Sequence, residues 1–300
     1  MKVGIFLQSA NHPRFDRALR YFASGVELLG DEPILFEKDI VYQPCDVAVI
    51  FGSWKPRPNI HHIIKNSVVQ NAEKFIVLET PLLGRGPVKD IMEDDSYRIG
   101  VNGFLHDTGR FNNHMRPIDR WDIIRKKFNL EIKSWNENHD GPIVIVLQIP
   151  GDASLRGCNV AEWACISAEI IRNQTDRQIL VRMPQISREY DMGWIEKLMT
   201  MPGIEMQQGT KANLIPTLEQ AYCTVTYTSG MAIESVLNGC PTVACDPGNF
   251  AFPISSESVF DINNLKRESR QQWVQDLSYC QWDESEIGIG LPWKHLKNIL

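Results

Sequence analysis

Short apolar runs alternate along the chain with longer stretches in which apolar positions recur every third or fourth residue. The first run, Val3-Gly4-Ile5-Phe6-Leu7, is bounded by polar residues and predicts a buried parallel strand. After a polar loop from residue 8 to 14, the residues Phe15, Ala18, Leu19, Phe22, Val26 and Leu29 recur at helical spacing, and Gly30 ends the helix. Residues 33–36 and 47–51 predict the second and third strands. Ile60, Ile63, Ile64 and Val68 predict a helix, and residues 75–78 a fourth strand. Strand and helix alternating at this cadence predict an α/β fold.

The pattern lapses over residues 80–116, which are rich in Gly, Asp, Asn and His, with only 97–101 strand-like. A long irregular segment in a compact domain is usually functional. Pro117 opens a helix running to about Lys127, with Trp121, Ile124 and Phe128 on one face. Residues 136–142 form a polar linker. Residues 143–149 then make the strongest strand of the chain, and a loop over 150–157 leads into a helix from about 160 to 172. Further strands are expected at 179–182, near Ile204, at 224–227 and at 242–245, with helices at 191–199, 214–221 and 230–238. The expected domains are therefore 1–135 and 142–280. Residues 281–300, with Trp282, Trp293 and Leu296 among charges, either return to the first domain or close the second.

Composition narrows the classes. In 300 residues, 43% are hydrophobic, which excludes wholesale disorder, and the formal net charge of -6 argues against a small basic nucleic-acid module. The charge is uneven: residues 1–140 are net neutral and residues 141–300 carry the whole excess. Within the first half, residues 98–133 hold eight Lys/Arg against four Asp/Glu, the place for a polyanionic acceptor to lie. The seven cysteines form no CxxC pair and sit in or beside apolar runs, as small core residues in a reducing compartment do. The start has too short an apolar run for a signal peptide, and no stretch has the ~18 apolar residues of a membrane span. A soluble, cytoplasmic protein is expected.

Ligands of open α/β sheets bind beyond the carboxyl ends of the strands. The loop Gly151-Asp152-Ala153-Ser154-Leu155-Arg156-Gly157 follows the strongest strand, and its glycines, Ser154 and Arg156 suit phosphate oxygens. It is neither GxGxxG nor a Walker motif. Thr228-Ser229-Gly230 separates a strand from a helix and either caps that helix or meets phosphate. Glu234, on an otherwise apolar helix, is placed to reach a ribose diol or simply faces solvent. Arg182 ends a strand, where a phosphate or a salt bridge takes it.

In the first domain Gln8, Ser9, His12 and Arg14, then residues 52–55, then Glu79 with Gly84-Arg85-Gly86, and finally His106, Asp107 and Asn113 make a polar rim on the carboxyl edge of one sheet. A general base for an alcohol acceptor is sought among Asp107, Glu79 and His12. No HExxH, DxD-type pair or GxSxG elbow is present, and no metal is expected; His61 and His62 are adjacent and diverge.

The stretch from Leu218 to Val243 resembles the donor-binding segment of GT-B glycosyltransferases, in particular the capsular-polysaccharide and phage-encoded branch. Here Ser229-Gly230, Glu234, Gly239 and Pro241 stand in the pattern T/S-S/G-x-x-x-E-x-x-x-x-G-x-P-V, with Thr242 where the pattern ends in valine, and sugar-nucleotide epimerases share that pattern. The stretch from Gln281 to Leu296 resembles the closing segment of phage glycosyltransferase-like proteins. The resemblance implies two Rossmann-like αβα domains facing across a cleft. It implies a nucleotide sugar, expected to be a UDP-sugar, held by the second domain without metal. Ser229 and Gly230 would meet the diphosphate, Glu234 the ribose, Ser154 and Arg156 the phosphates, and Arg182 the donor pocket. Capsular Kdo transferases carry His-Pro after the arginine strand, whereas Arg182 precedes Met183-Pro184, so neither Kdo nor a CMP donor is carried over. The phage branch implies a hydroxymethylated pyrimidine in DNA as acceptor, flipped from the duplex and held along residues 98–133 by Arg110, Arg116, Arg120, Arg125, Lys126 and Lys127. A capsule saccharide acceptor, a sugar-nucleotide 2-epimerase and a non-catalytic GT-B binding module are the other readings.

Overall fold

The apolar runs become the strands they predict. The structure is a computed structural model in which residues 1–7, 13–37, 41–55, 60–84, 95–184 and 190–300 are described, the side chains of residues 60 and 61 excepted. In chain order the elements are β1 (Lys2–Phe6), α1 (Pro13–Leu28), β2 (Glu32–Phe36), β3 (Val47–Phe51), α2 (Ile60–Asn71), β4 (Phe75–Glu79), β5 (Ser96–Val101) and α3 (Asp119–Phe128). There follow β6 (Ile143–Val146), α4 (Val160–Arg172), β7 (Ile179–Met183), α5 (Met192–Met199), β8 (Ile204–Gln208), α6 (Lys211–Gln220), β9 (Cys223–Thr226), α7 (Met231–Leu237) and β10 (Thr242–Ala244). The chain ends with α8 (Gln271–Ser278), β11 (Gln281–Asp283), α9 (Glu284–Gly288) and α10 (Leu291–Leu296).

Two compact units result. The first combines Met1–Arg85, Lys89–Asp122 and Val274–Leu300, and the second is built chiefly from Ile123–Trp273. In the first unit the six-stranded sheet runs β11-β5-β4-β3-β1-β2. The four strands β2, β1, β3 and β4 are parallel, while β5 and β11 are antiparallel to their neighbours. The predicted face of α1 is the buried one: Ala18, Leu19, Phe22 and Val26 pack with Val3, Ile5, Val49 and Phe51. The same core takes in Ile287, Trp293 and Leu296 of the C-terminal segment. Gly25 permits this approach, because a Cβ there would lie 2.3 Å from the Ile287 carbonyl oxygen. Strand β11 was not foreshadowed, since three residues centred on Trp282 carry no strand periodicity.

In the second unit the sheet is wholly parallel, in the order β10-β9-β6-β7-β8. Counted within the unit this is 3-2-1-4-5, the order of a doubly wound dinucleotide-binding sheet. Alternation along β6 divides two cores. Ile143, Ile145 and Leu147 join Ala161, Ala164, Ala168 and Ile195 of α4 and α5. Val144 and Val146 face the opposite way, with Leu218, Ala221 and Cys240. The sheet is thus covered on both faces, the condition for a buried parallel sheet.

Both units are Rossmann-like αβα layers. Helix α6 starts at Lys211, earlier than the apolar pattern suggests, because Thr210 and Asn213 close a capping box ahead of the first apolar residue.

Candidate functional site

The strand order places one topological switch point in the second unit, between β6 and β9, where successive connections leave in opposite directions. The chain beyond β6 and the chain beyond β9 therefore meet at their carboxyl ends, and side chains join them. Gln148 is the link. Its Nε2 donates to Ser154 Oγ at 3.1 Å and to Thr228 Oγ1 at 3.0 Å. Its Oε1 accepts from the Thr228 backbone N–H at 2.9 Å. Thr228 Oγ1 also reaches the Ser154 carbonyl at 3.1 Å. Ser154 Oγ donates to Asp152 Oδ1 at 2.7 Å, and the same oxygen caps the short 3-10 turn Ala153–Leu155 through the Ser154 N–H. From another side the Tyr190 hydroxyl donates to the Gln148 carbonyl at 2.9 Å.

Beyond this tie the backbone is open. Gly157 has φ of 86°, and a Cβ built at Gly157 or at Gly230 would meet nothing within 4 Å. Ser229 Oγ accepts from the Met231 N–H at 3.2 Å, and Glu234 stands half-buried one turn into α7. Asn249, nearly fully buried, donates Nδ2 to Thr226 Oγ1 and to the Tyr227 carbonyl, both at 3.1 Å, and so fixes the turn that presents Ser229. Arg156 occupies the left-handed region with φ of 53°, and its guanidinium lies 3.8 Å from Asp246. Tyr227 is pushed up to about 12, first by burial and then by the Asp246 carboxylate, so it is a neutral hydrogen-bonding group at physiological pH.

The predicted donor-side residues divide by place. Ser154, Arg156, Ser229, Gly230 and Glu234 lie on the loops or the helix at the switch point. Arg182 lies one strand away, on β7. Its guanidinium donates to Gln207 Oε1 at 2.8 Å, Asn213 Oδ1 at 2.6 Å and the Thr210 carbonyl at 2.8 Å, joining β8 to the start of α6. Gln148, Asn249, Tyr190 and Asp246 were missed. Gln148 had a signal, as the first polar residue after the strongest strand, and so did Asn249, which follows the turn-forming Pro247-Gly248.

In the first unit the expected polar rim separates. Strand β5 is antiparallel to β4, with Val101 opposite Ile76 and Glu79 opposite Arg98. The chain therefore leaves β5 at the amino end of β4, and His106, Asp107 and Asn113 follow from there, whereas Glu79 stands at the carboxyl end. Parallel alternation was assumed for a strand that reverses. Asp107 is exposed in that turn. Glu79 accepts from the Ser53 N–H at 2.9 Å and the Thr80 N–H at 2.7 Å. His12, with Gln8 and Ser9, lies outside the described residues, as do Arg85 and Gly86.

The basic stretch is likewise not a uniform cationic strip. Arg120 is buried, pairs with Glu286 at 2.7 Å and stacks 3.7 Å above the Trp282 ring. Arg116 donates to the Asn112 carbonyl and lies over the Tyr279 ring. These two cations support the C-terminal segment instead of lining a phosphate track; Arg110, Arg125, Lys126 and Lys127 are exposed. Among the described residues no group of three His, Cys, Asp or Glu is placed to hold a metal ion, and no helix is long and apolar enough to cross a membrane.

No family model matches the chain, and no curated protein sequence does. Solved structures do. The beta Kdo 2,4 transferase of Thermosulfurimonas dismutans KpsC superposes with a TM-score of 0.58 at 14% identity, over 92% of this chain and 89% of that one. The beta Kdo 2,7 transferase of the same protein superposes with a TM-score of 0.53 at 12% identity, over 97% and 98%. The fold is of the GT-B kind. At such identities the likeness concerns the fold alone, and the absence of His-Pro after Arg182 stands as before.

Proposed function

We propose that the chain is a glycosyltransferase that takes a nucleotide sugar at the switch point of the second unit and passes the sugar to a hydroxyl of a saccharide acceptor. The observation that carries this reading is the meeting of the β6 and β9 loops through Gln148, Ser154 and Thr228, with open backbone at Gly157 and Gly230 beside it. Ser229 and Gly230 are assigned to the diphosphate and Glu234 to the ribose diol. Arg156 is assigned to a phosphate, for which it exchanges its long contact with Asp246. Ser154 acts by holding its loop, since its hydroxyl is already engaged by Asp152 and Gln148. Fixed N–H and guanidinium donors aimed at a leaving diphosphate supply transition-state stabilisation in place of a metal. The base that deprotonates the acceptor is assigned to the first unit, with Glu79, on the carboxyl edge of its parallel strands, ahead of Asp107. The fold likeness to two saccharide transferases supports a saccharide acceptor over hydroxymethylated DNA, which no comparison supports.

A panel of UDP-, CMP- and GDP-sugars read by thermal shift tests the donor site. At least one should raise the melting temperature, and Glu234→Ala should abolish that rise while leaving the unliganded melting temperature within about 2 °C, as for a half-exposed substitution. No rise with any member would leave a non-catalytic GT-B module as the better account. Incubating the responding donor without acceptor gives the second decision: an epimerised sugar would replace the transferase reading by the 2-epimerase one. Label appearing in hydroxymethylated DNA and not in oligosaccharide would reverse the choice of acceptor.

A further inference from the structure

Helix α1 is apolar on more than the face it buries. Ala18, Leu19, Phe22 and Val26 pack into the core of the first unit. Tyr21 and Leu29 are nevertheless 40% exposed and Leu28 66%, while Ile289 and Leu291, at the start of α10, are 56% and 38% exposed. These two groups form one surface. A Cβ built on Gly288 would lie 3.2 Å from Tyr21 Cδ1, and one on Gly290 would lie 2.7 Å from Leu29 Cδ1. Both side chains therefore lie across the glycines of the C-terminal segment, with Ile289 between those glycines in the chain and Leu291 directly after them. The seam beneath is tight, since a Cβ on Gly290 would also come within 2.5 Å of the Gly25 carbonyl oxygen. Single exposed apolar residues are ordinary, whereas a contiguous group is informative. Taking about 200 Å2 for a whole large side chain, the five expose on the order of 400–500 Å2 together. A specific interface takes about 800 Å2 from each partner, a little over half of it apolar. The patch thus supplies the apolar share of one side of such an interface.

We propose that this face of the first unit is the contact through which two copies of the chain associate about a two-fold axis, with Leu28 and Ile289 as its most exposed anchors. The charges at the rim favour a second copy over a lipid surface. Arg17 pairs with Glu284 between α1 and α9 at 2.9 Å, Glu27 is exposed beside Leu28, and Lys294 is exposed one turn after Leu291. A two-fold contact sets a patch against itself, which a rim of both signs allows and a rim of one sign opposes. An anionic membrane selects cations without carboxylates among them. Removing the apolar side chains from water drives the association, and an interface of this size with one aromatic anchor is reversible. The contact stands apart from the nucleotide-sugar reading, because none of its residues is assigned to the donor or to the acceptor base.

Sedimentation equilibrium of the intact chain from about 1 to 200 µM tests the proposal. The average mass should climb from one chain toward two and no further, as a closed two-fold contact requires. The double variant Leu28→Lys, Ile289→Lys should stay at the mass of one chain throughout, with its melting temperature within about 2 °C of wild type at low concentration, since both positions are more than half exposed. Its donor-induced thermal shift should match that of wild type. A wild type that remains one chain at the highest concentration, or a folded double variant that associates as strongly, overturns the proposal. So does flotation of the wild type with anionic vesicles, lost in the double variant, when no self-association is seen in solution. Should the double variant not fold, hydrogen exchange of the wild type at the two ends of the concentration range decides. Residues 28–30 and 288–291 should gain protection as the chain is concentrated, and protection gained only elsewhere overturns the proposal.

Discussion

The carboxyl edges of the two sheets are built on the same principle and finished differently. In the second unit all five strands are parallel, the switch point lies between β6 and β9, and polar groups of the two loops satisfy one another. In the first unit the parallel run stops at β4, β5 reverses, and the largely buried Lys65 stands with Glu79 beside Gly52 at the carboxyl edge. One edge is a hydrogen-bonded frame around open backbone, and the other carries a lysine that burial has partly desolvated beside a carboxylate. The contrast teaches that a frame is probed by removing one of its hydrogen bonds, whereas a desolvated charge is probed by changing its protonation.

Breaking the frame should give the largest effect. Gln148→Leu keeps approximate volume but strands the Thr228 N–H and removes the partner shared by Ser154 and Thr228. A loss of about 2–4 kcal/mol is expected in urea unfolding, together with the whole of the donor-induced thermal shift. Unchanged stability would mean that water replaces the amide and that the two loops are not held by it.

The other edge is sharpened by pH. Lys65 titrates near 8 in the folded chain and near 10.5 when unfolded. Below pH 8 it is charged in both states. Between 8 and 10.5 the unfolded state binds the extra proton, so stability rises with pH over that window. The gain is on the order of 2–3 kcal/mol by pH 10.5. Tyrosines raised by burial pull the other way above pH 10, so the quantity to measure is wild type minus Lys65→Met between pH 7 and 9.5. A difference independent of pH would show the lysine to be solvated.

Much of this was legible in the sequence. Helix α4 spans the residues its periodicity marks, and the loops carrying Ser154 and Ser229 could be set beyond strands because β6 and β9 are unbroken apolar runs. Direction was not legible. Nothing local in residues 96–101 distinguishes an antiparallel strand from a parallel one, and that single reversal moved Asp107 away from the edge where it was expected. Nor does composition reveal that Arg116 and Arg120 are consumed by aromatic rings and carboxylates far along the chain. Lys65 was hidden by its residue type, since a lysine on an amphipathic helix ordinarily reaches solvent.

A smaller difference between the units lies in acid. His295 packs beside Tyr279 and Trp282, meets the Phe111 carbonyl at 3.0 Å, and is lowered to about 4, chiefly by burial and further by Arg116 and Arg120. Folded, it stays neutral while the unfolded state protonates near 6.5, so its contribution is present above 6.5 and is lost as pH falls toward 4. The loss is on the order of 1–2 kcal/mol. His139, by contrast, is exposed in the second unit. Hydrogen exchange compared at pH 7 and 5, corrected for intrinsic rates, should show protection falling first around Phe111 and His295. Equal loss in β6 and β9 would erase the distinction.

The smallest effect concerns how far the frame of the second unit extends. Thr210 caps α6, its side chain accepting the Asn213 N–H, while its carbonyl and Asn213 Oδ1 hold the Arg182 guanidinium. Thr210→Ala removes the cap hydroxyl alone and should cost about 1 kcal/mol. Because β7 and β8 lie beside the switch strands and not between them, the donor-induced thermal shift should survive at full size. Its disappearance would mean that the donor leans on the Arg182 anchorage, restoring the donor-pocket role that the strand-end position suggests and widening the site from two loops to three.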